Sequence, residues 1–350
     1  MKTIKVGIAG LGRLGKVHAN NIAFKIPNAT LTAACSIVPA ELEYAKNELG
    51  VTDLYTDYRE MLEKTDIDAV AIVTTSSEHC WQIEAALDAG KHVFTDKSLG
   101  VDLEQCKLAE AAVERHPDQV FFLGFMRRYD SSYAYAKKKI QEGAIGKPYM
   151  VKAIGIDPEA LVEGSIKFAA TSGGIFIDMA IHDIDLMRWF LEDEPTEVYA
   201  LGATFKHPEF QAVGDDETAV ATYKFKNGGI GVIHVGRTAP HGYHVETEII
   251  GTEGSIRISP IPEKNLAMLY NSNGVVTECV EGFPERFAAA YLAEMQEFID
   301  CICENRKPGV SVYDGTKSTA IGFGTTEAWK LLLCNFHLVI SSKTAFHISL

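Results

Sequence analysis

The chain reads as α/β followed by α+β: a doubly wound parallel sheet of the Rossmann kind comes first, then an open, mostly antiparallel sheet. Three observations predict this. From residue 3 to about 125, short β-branched runs alternate with longer helical ones, as βαβ units do. The first run ends in "GLGRLG", a glycine turn between a strand and a helix. Beyond it, successive extended segments are joined by turn signals, among them the strong hairpin pair Asn227-Gly228. At 350 residues the chain also exceeds what one hydrophobic core usually organises. We therefore expect one domain over residues 1–124 and a second over 125–350.

The elements follow in order. "IKVGIAG" opens the parallel sheet, and "LTAACSIV", "AVAIVTT", "HVFTD" and "QVFFLGF" continue it, with helices such as "EHCWQIEAALDAG" between. A helix "SSYAYAKKKIQEG" and an amphipathic one, "GGIFIDMAIHDIDLMRW", precede the second sheet. That sheet is read from "EVYALGATF", "ETAVATYKFKNGGIGVIHVGR", "YHVETEIIGTEGSIRIS" and "LAMLYNSNGVVTECV". A further helix begins near Glu285 and should pack against one of the domains. The tail over 331–350, "LLLCNFHLVISSKTAFHISL", is atypical, and no function attaches to it.

Composition narrows the function classes. With 47% hydrophobic and 23% charged residues, this is an ordinary globular chain. A net charge of -14 without a compensating basic run repels phosphate backbones and anionic membrane surfaces, so neither nucleic acid nor membrane is expected as a partner. The seven cysteines are odd in number and irregularly spaced, which suits free thiols in a reducing compartment. Cys301 and Cys303 lack a second pair to make a zinc site. "MKTIKVGIAG" starts on a strand pattern without a signal peptide's apolar region. The most apolar window, residues 331–340, is about half a bilayer span. The expected location is the cytoplasm.

Gly10, Gly12 and Gly15 form G-x-G-x-x-G, with Arg13 and Leu14 completing the turn. The first glycine allows the tight turn, the second lets the backbone approach a pyrophosphate, and the third lets helix and strand pack. Free N–H groups at the helix start then receive phosphates. In this βαβ setting the turn predicts dinucleotide binding. About 20 residues on, an acidic side chain would hold the adenosine ribose of NAD; here Ser36 takes that place. The missing carboxylate and the charge of Arg13 lean toward NADP, whereas residues 37–40 carry no cation and a serine can still bond a free hydroxyl.

Asp96-Lys97-Ser98 follows a strand at the carboxyl edge of the sheet, where open α/β sheets bind ligands. Lys97 there could donate to a substrate hydroxyl or be an exposed loop lysine. Asp178, His182 and Asp185 are spaced i, i+4 and i+7, on one face of a single predicted helix. A histidine on that face can take an alcohol proton while a carboxylate orients it. A capping aspartate, a core histidine or a metal-ligand face would use the same residues, but no further ligand of suitable spacing accompanies them, so no metal is expected. Asp183 points elsewhere, toward solvent or a cap, and Asp185 either orients His182 or bonds to the backbone.

The glycine turn, Lys97, "GFMRRYD" at 124–130 and "GGIFIDMAIHDID" together resemble the glucose-fructose oxidoreductase / inositol dehydrogenase / rhizopine-catabolism (Gfo/Idh/MocA) family, over about residues 3–330 and most closely its inositol 2-dehydrogenases. The resemblance implies NAD(P)-dependent oxidation of a ring hydroxyl of scyllo- or myo-inositol to the inosose. It implies His182 as general base with Lys97 and Asp178 positioning the hydroxyl, and Arg127 and Tyr243 lining the substrate site. It also implies NAD as cofactor, with NADP the second choice, and a homotetramer assembled through the open sheets. Two features depart from the family pattern: Asp96-Lys97-Ser98 stands for Glu-Lys-Pro, and Ser36 for an acidic residue. A dehydrogenase of an aldose or another polyol would share the same lysine and histidine. A nucleotide-binding sensor would keep the fold without needing all three polar residues, and a metal-dependent hydrolase would leave the glycine turn unexplained.

Overall fold

The structure, a computed structural model, describes residues 3–258 and 263–335. Its contacts divide the chain into two compact units, the first holding the chain through Asp130 together with Phe287–Thr319. Here β1 (Ile4–Ala9), β2 (Ala29–Cys35), β3 (Asp53–Tyr55), β4 (Ala69–Ile72), β5 (His92–Asp96) and β6 (Phe121–Gly124) pair in parallel, in the order β3-β2-β1-β4-β5-β6. This is the doubly wound Rossmann order, with its switch point between β1 and β4. Helices α1 (Arg13–Phe24), α2 (Pro39–Leu49), α3 (Tyr58–Lys64), α4 (His79–Asp88) and α5 (Leu103–Arg115) make the crossovers. Covered on both faces, β4 and β6 are wholly buried, which is why they read as continuous apolar runs. The Asp57 side chain caps α3, and Asp102 caps α5 by accepting the N–H groups of Glu104 and Gln105. Strand β3, with three residues, is too short to show a period and is absent from the sequence-based reading.

The second unit takes Ser131–Arg286 and, among the described residues, the chain from Ala320 on. It opens with α6 (Ser131–Gln141), β7 (Pro148–Pro158), α7 (Val162–Ala169), α8 (Ile175–Asp178), α9 (Ile181–Leu191), β8 (Pro195–Ala203) and α10 (Glu209–Ala212). Strands β9 (Thr218–Phe225), β10 (Ile230–Ala239), β11 (His244–Gly251) and β12 (Ser255–Ile258) complete a sheet in the order β12-β11-β7-β10-β9-β8. Only the β7–β10 pair is parallel. Strand β7 is missing from the sequence-based reading because glycine, lysine and aspartate interrupt its apolar alternation. The expected Asn227-Gly228 turn joins β9 to β10, with Gly228 at φ 85° and the Phe225 N–H donating to Gly229 O.

Alternation along β9 decides which face is covered. Ala219, Ala221, Tyr223 and Phe225 are buried, while Val220 is exposed, as are Tyr199 and Leu201 on β8. The sheet is therefore open on one side. Strands β13 (Glu263–Asn271) and β14 (Gly274–Cys279) form a separate hairpin, followed by α11 (Phe283–Arg286). The helix expected near Glu285 is α12 (Ala288–Glu304), and it packs on the first unit. Its Met295, Phe298 and Ile299 share a core with Val6, Ile8, Phe94 and Phe122. Helix α13 (Val312–Asn335) ends the described chain, so residues 336–350 of the expected tail lie outside it. No helix among the described residues is long and apolar enough to cross a membrane.

Candidate active site

In the first unit the glycine turn joins β1 to α1, and each glycine has its own reason. Gly10 has φ 86°, and a Cβ there would lie 2.5 Å from the Val73 carbonyl oxygen. A Cβ on Gly15 would lie 2.2 Å from the Gly10 carbonyl oxygen, so strand and helix could not close up. Gly12 differs: the nearest atom to its Cβ position is Glu41 Oε1 at 4.0 Å. The backbone is open at the glycine that a pyrophosphate approaches, and no side chain caps the N-terminus of α1. Arg13 and Leu14 are the first two residues of that helix. The turn fits a dinucleotide.

Ser36, just past β2, is buried and its hydroxyl is fixed from both sides. It accepts the Val38 N–H at 3.1 Å and donates to Glu41 Oε2 at 2.5 Å. The same Glu41 oxygen accepts the Leu11 N–H at 3.2 Å. A carboxylate therefore does stand at the mouth of the glycine turn, supplied by the first turn of α2 rather than by the end of β2. Glu41 lies outside the fixed offset at which the sequence pattern places the acid, so only the fold brings it to the turn.

Lys97 follows β5, and the Lys97–Ser98 peptide is cis. Burial pushes the Asp96 carboxyl up to about 6, opposed by the Lys97 charge and by the Lys97 N–H that it accepts. The loop beyond is tied down by the buried His79, whose Nδ1 lies 2.8 Å from the Ser98 carbonyl and whose Nε2 lies 3.2 Å from that of Thr74. One imidazole thus sits between two carbonyls, from the segments just past β4 and β5; burial favours its neutral form, which donates to one of them. Deeper in this unit, burial lowers His18 to about 3 and holds Glu294 well above the usual carboxylate range. Their 3.8 Å separation is longer than a charged hydrogen bond. Arg127 is also in this unit, nearly buried on the short 3-10 turn Met126–Tyr129, with its guanidinium 5.8 Å over the Phe287 ring.

In the second unit the segment expected to form one helix forms two. Gly173 and Gly174 turn the chain at φ 87° and 90°, α8 ends at Asp178, and α9 starts at Ile181. The Ala180 N–H reaches back five residues to the Ile175 carbonyl. Asp178 and His182 therefore lie on either side of a break, and simple i, i+4 spacing does not describe their relation. Both are partly exposed, whereas Asp185 is buried. The expectation for Asp183 needs correction. It is fully buried, because α9 is covered there too, and its charge helps raise the Tyr223 phenol, after burial as the larger cause.

The strongest electrostatic feature of this unit was not legible in the sequence. Arg237, on β10 and 1% exposed, donates from Nη1 to Asp178 Oδ2 at 3.0 Å and from Nη2 to Asp215 Oδ2 at 2.9 Å. Burial works against its charge, but Asp178, Asp215 and Asp157 more than offset it, leaving the guanidinium pKa above its ordinary value. Asp215 Oδ1 accepts the Ile175 N–H at 2.9 Å, which anchors the start of α8. Asp178 is thereby held from across the sheet and through its own helix. Tyr243, before β11, is nearly buried, with its N–H on the Val280 carbonyl.

Residues 4–125 match the oxidoreductase family with an NAD-binding Rossmann fold, GFO/IDH/MocA. Residues 133–257 match the GFO/IDH/MocA C-terminal domain. The chain belongs to the GFO/IDH/MocA family. It is an oxidoreductase of that family, and its first unit is an NAD-binding Rossmann fold. Among GFO/IDH/MocA relatives, it is 35% identical to the scyllo-inositol 2-dehydrogenase (NAD(+)) of Bacillus subtilis, over 93% of this chain and 94% of that one. It is 32% identical to the myo-inositol 2-dehydrogenase of Thermotoga maritima, over 93% and 96%. The crystal structure of scyllo-inositol dehydrogenase from Lactobacillus casei with bound NAD(H) and scyllo-inositol superposes with a TM-score of 0.92 at 46% identity. That superposition covers 95% of this chain and 98% of that one.

Proposed function

We propose that the protein oxidises a ring hydroxyl of scyllo- or myo-inositol to the inosose, using NAD. His182 acts as general base and Lys97 and Asp178 position the reacting hydroxyl. This reading is supported by the open glycine turn of the first unit and, within the second, by an Asp178 held by Arg237 just ahead of the helix that carries His182. NAD, when bound, supplies the acceptor for the hydride leaving the ring carbon. Lys97 donates a hydrogen bond to the reacting oxygen as negative charge develops. His182 takes the hydroxyl proton, and Asp178, fixed by Arg237, accepts from a neighbouring ring hydroxyl and so positions the reacting one. Arg127 and Tyr243 contribute to binding the ring.

The inositol-named relatives, matched over nearly their full length, support this substrate class over an aldose. The exposed apolar face carrying Tyr199, Leu201 and Val220 supports assembly through the open sheet into a homotetramer. The domain roles proposed from sequence, cofactor binding over residues 1–124 and substrate binding over 125–350, belong to the same reading, as does a cytoplasmic location. The test follows absorbance of reduced nicotinamide across a panel of inositols, aldoses and linear polyols. Scyllo- or myo-inositol should give the highest kcat/KM. An aldose surpassing both would replace the substrate, and cofactor binding without any turnover would favour the sensor.

A further inference from the structure

The geometry points to Glu41 as the residue that selects NAD over NADP, by offering a carboxylate to the free adenosine ribose hydroxyls and repelling a 2'-phosphate. Sequence position hides it. The end of β2 carries Ser36 instead of an acid, and Arg13 in the glycine turn adds a positive charge, a combination that reads as permissive toward NADP. The folded chain reverses that reading. Ser36 Oγ accepts the Val38 N–H, so its single proton is free to go to Glu41 Oε2, 2.5 Å away. With the Leu11 N–H on the same oxygen, two donors fix this carboxylate against the turn.

The second oxygen is the one placed for a ligand. Glu41 Oε1 is the nearest atom to the Cβ position of Gly12, the glycine at which the dinucleotide backbone passes. Among the described residues it receives no hydrogen bond. Two vicinal hydroxyls are donors and suit such an acceptor. A phosphate ester carries close to two negative charges and offers only acceptors, so it meets like charge at this oxygen. Residues 37–40, Ile-Val-Pro-Ala, supply no cation to compensate.

The inference rests on the chain binding a nicotinamide dinucleotide in its Rossmann unit and says which one. It is tested by titrating the wild type, Glu41→Gln and Ser36→Ala with NADH and with NADPH, following nicotinamide fluorescence, so that no turnover is required. The wild type should bind NADH more tightly. Glu41→Gln should weaken NADH, strengthen NADPH and reduce the preference roughly ten- to hundredfold, the scale of one charge-assisted hydrogen bond. Ser36→Ala keeps the charge, so it should weaken NADH while NADPH stays excluded. An unchanged preference in Glu41→Gln, or an equal loss for both dinucleotides, would overturn the assignment. A wild type that bound neither would overturn the NAD reading beneath it as well.

Discussion

Arg237 and Asp178 are joined by a 3.0 Å charged hydrogen bond although 59 residues separate them, with the arginine side chain 1% exposed. The same guanidinium holds Asp215, so one cation neutralises two carboxylates around the start of α8. Removing one partner of such a buried group leaves uncompensated charge. Arg237→Met should therefore destabilise the fold by about 3–5 kcal/mol, measured by urea unfolding. Asp215→Asn, which keeps the shape and removes one carboxylate, should cost distinctly less. If Arg237→Met unfolded at the wild-type midpoint, the buried network would carry no weight.

The glycine turn separates folding from binding. A methyl on Gly15 would press on the Gly10 carbonyl at 2.2 Å, whereas one on Gly12 meets nothing nearer than 4.0 Å. Gly15→Ala should lower stability by roughly 1–3 kcal/mol, the range for overpacking. Gly12→Ala should keep the melting temperature and weaken NADH at least about tenfold, since the backbone could no longer meet the pyrophosphate closely. Thermal melts and NADH titrations of both variants distinguish the two roles.

His18 makes a prediction about acid. Burial lowers its folded pKa from 6.5 to about 3, so the unfolded chain takes up its proton first as pH falls. This contribution to stability is complete above pH 6.5 and is lost progressively down to about 3, at ~1.4 kcal/mol per pH unit. Asp96, raised to about 6, works in the opposite direction: it lowers stability as pH rises from its unfolded value through 6. His18→Gln should therefore flatten the acid limb of a stability–pH curve, as read by urea midpoints across that window. A limb as steep as in the wild type would place the acid sensitivity elsewhere.

Much of the fold was legible because it rests on local patterns. The parallel strands are apolar runs, Asn227-Gly228 is a turn, and β9 alternates where only one of its faces is covered. Strand β7 was not, since its polar and glycine positions blur the period. The site divides in the same way. Gly10, Gly12 and Gly15 form one local motif, and Lys97, Asp178 and His182 are proposed as site residues from their own short segments. Arg237, Asp215 and Glu41 act on those residues from other elements, and no spacing rule links Arg237 to Asp178 or places Glu41 against Leu11. The break at Met179–Ala180 was also hidden, because every residue from Ile175 to Leu191 is compatible with one continuous helix.

A neutral imidazole is needed to accept the substrate proton. The kcat/KM for inositol should rise with pH through the acid-to-neutral range as His182 loses its proton, and then level off. Initial rates of NAD reduction across that range, at fixed ionic strength, check this. A flat profile would remove histidine from the proton transfer.

The most direct measurement of the proposed chemistry compares NAD reduction by scyllo- and myo-inositol in the wild type and in His182→Ala, with NADH binding titrated on both. The wild type should turn over an inositol. His182→Ala should bind NADH as the wild type does and lose roughly two to four orders of magnitude in turnover, the scale of general-base loss. Wild-type rates in His182→Ala, or no inositol oxidation by a wild type that binds NADH, would contradict it.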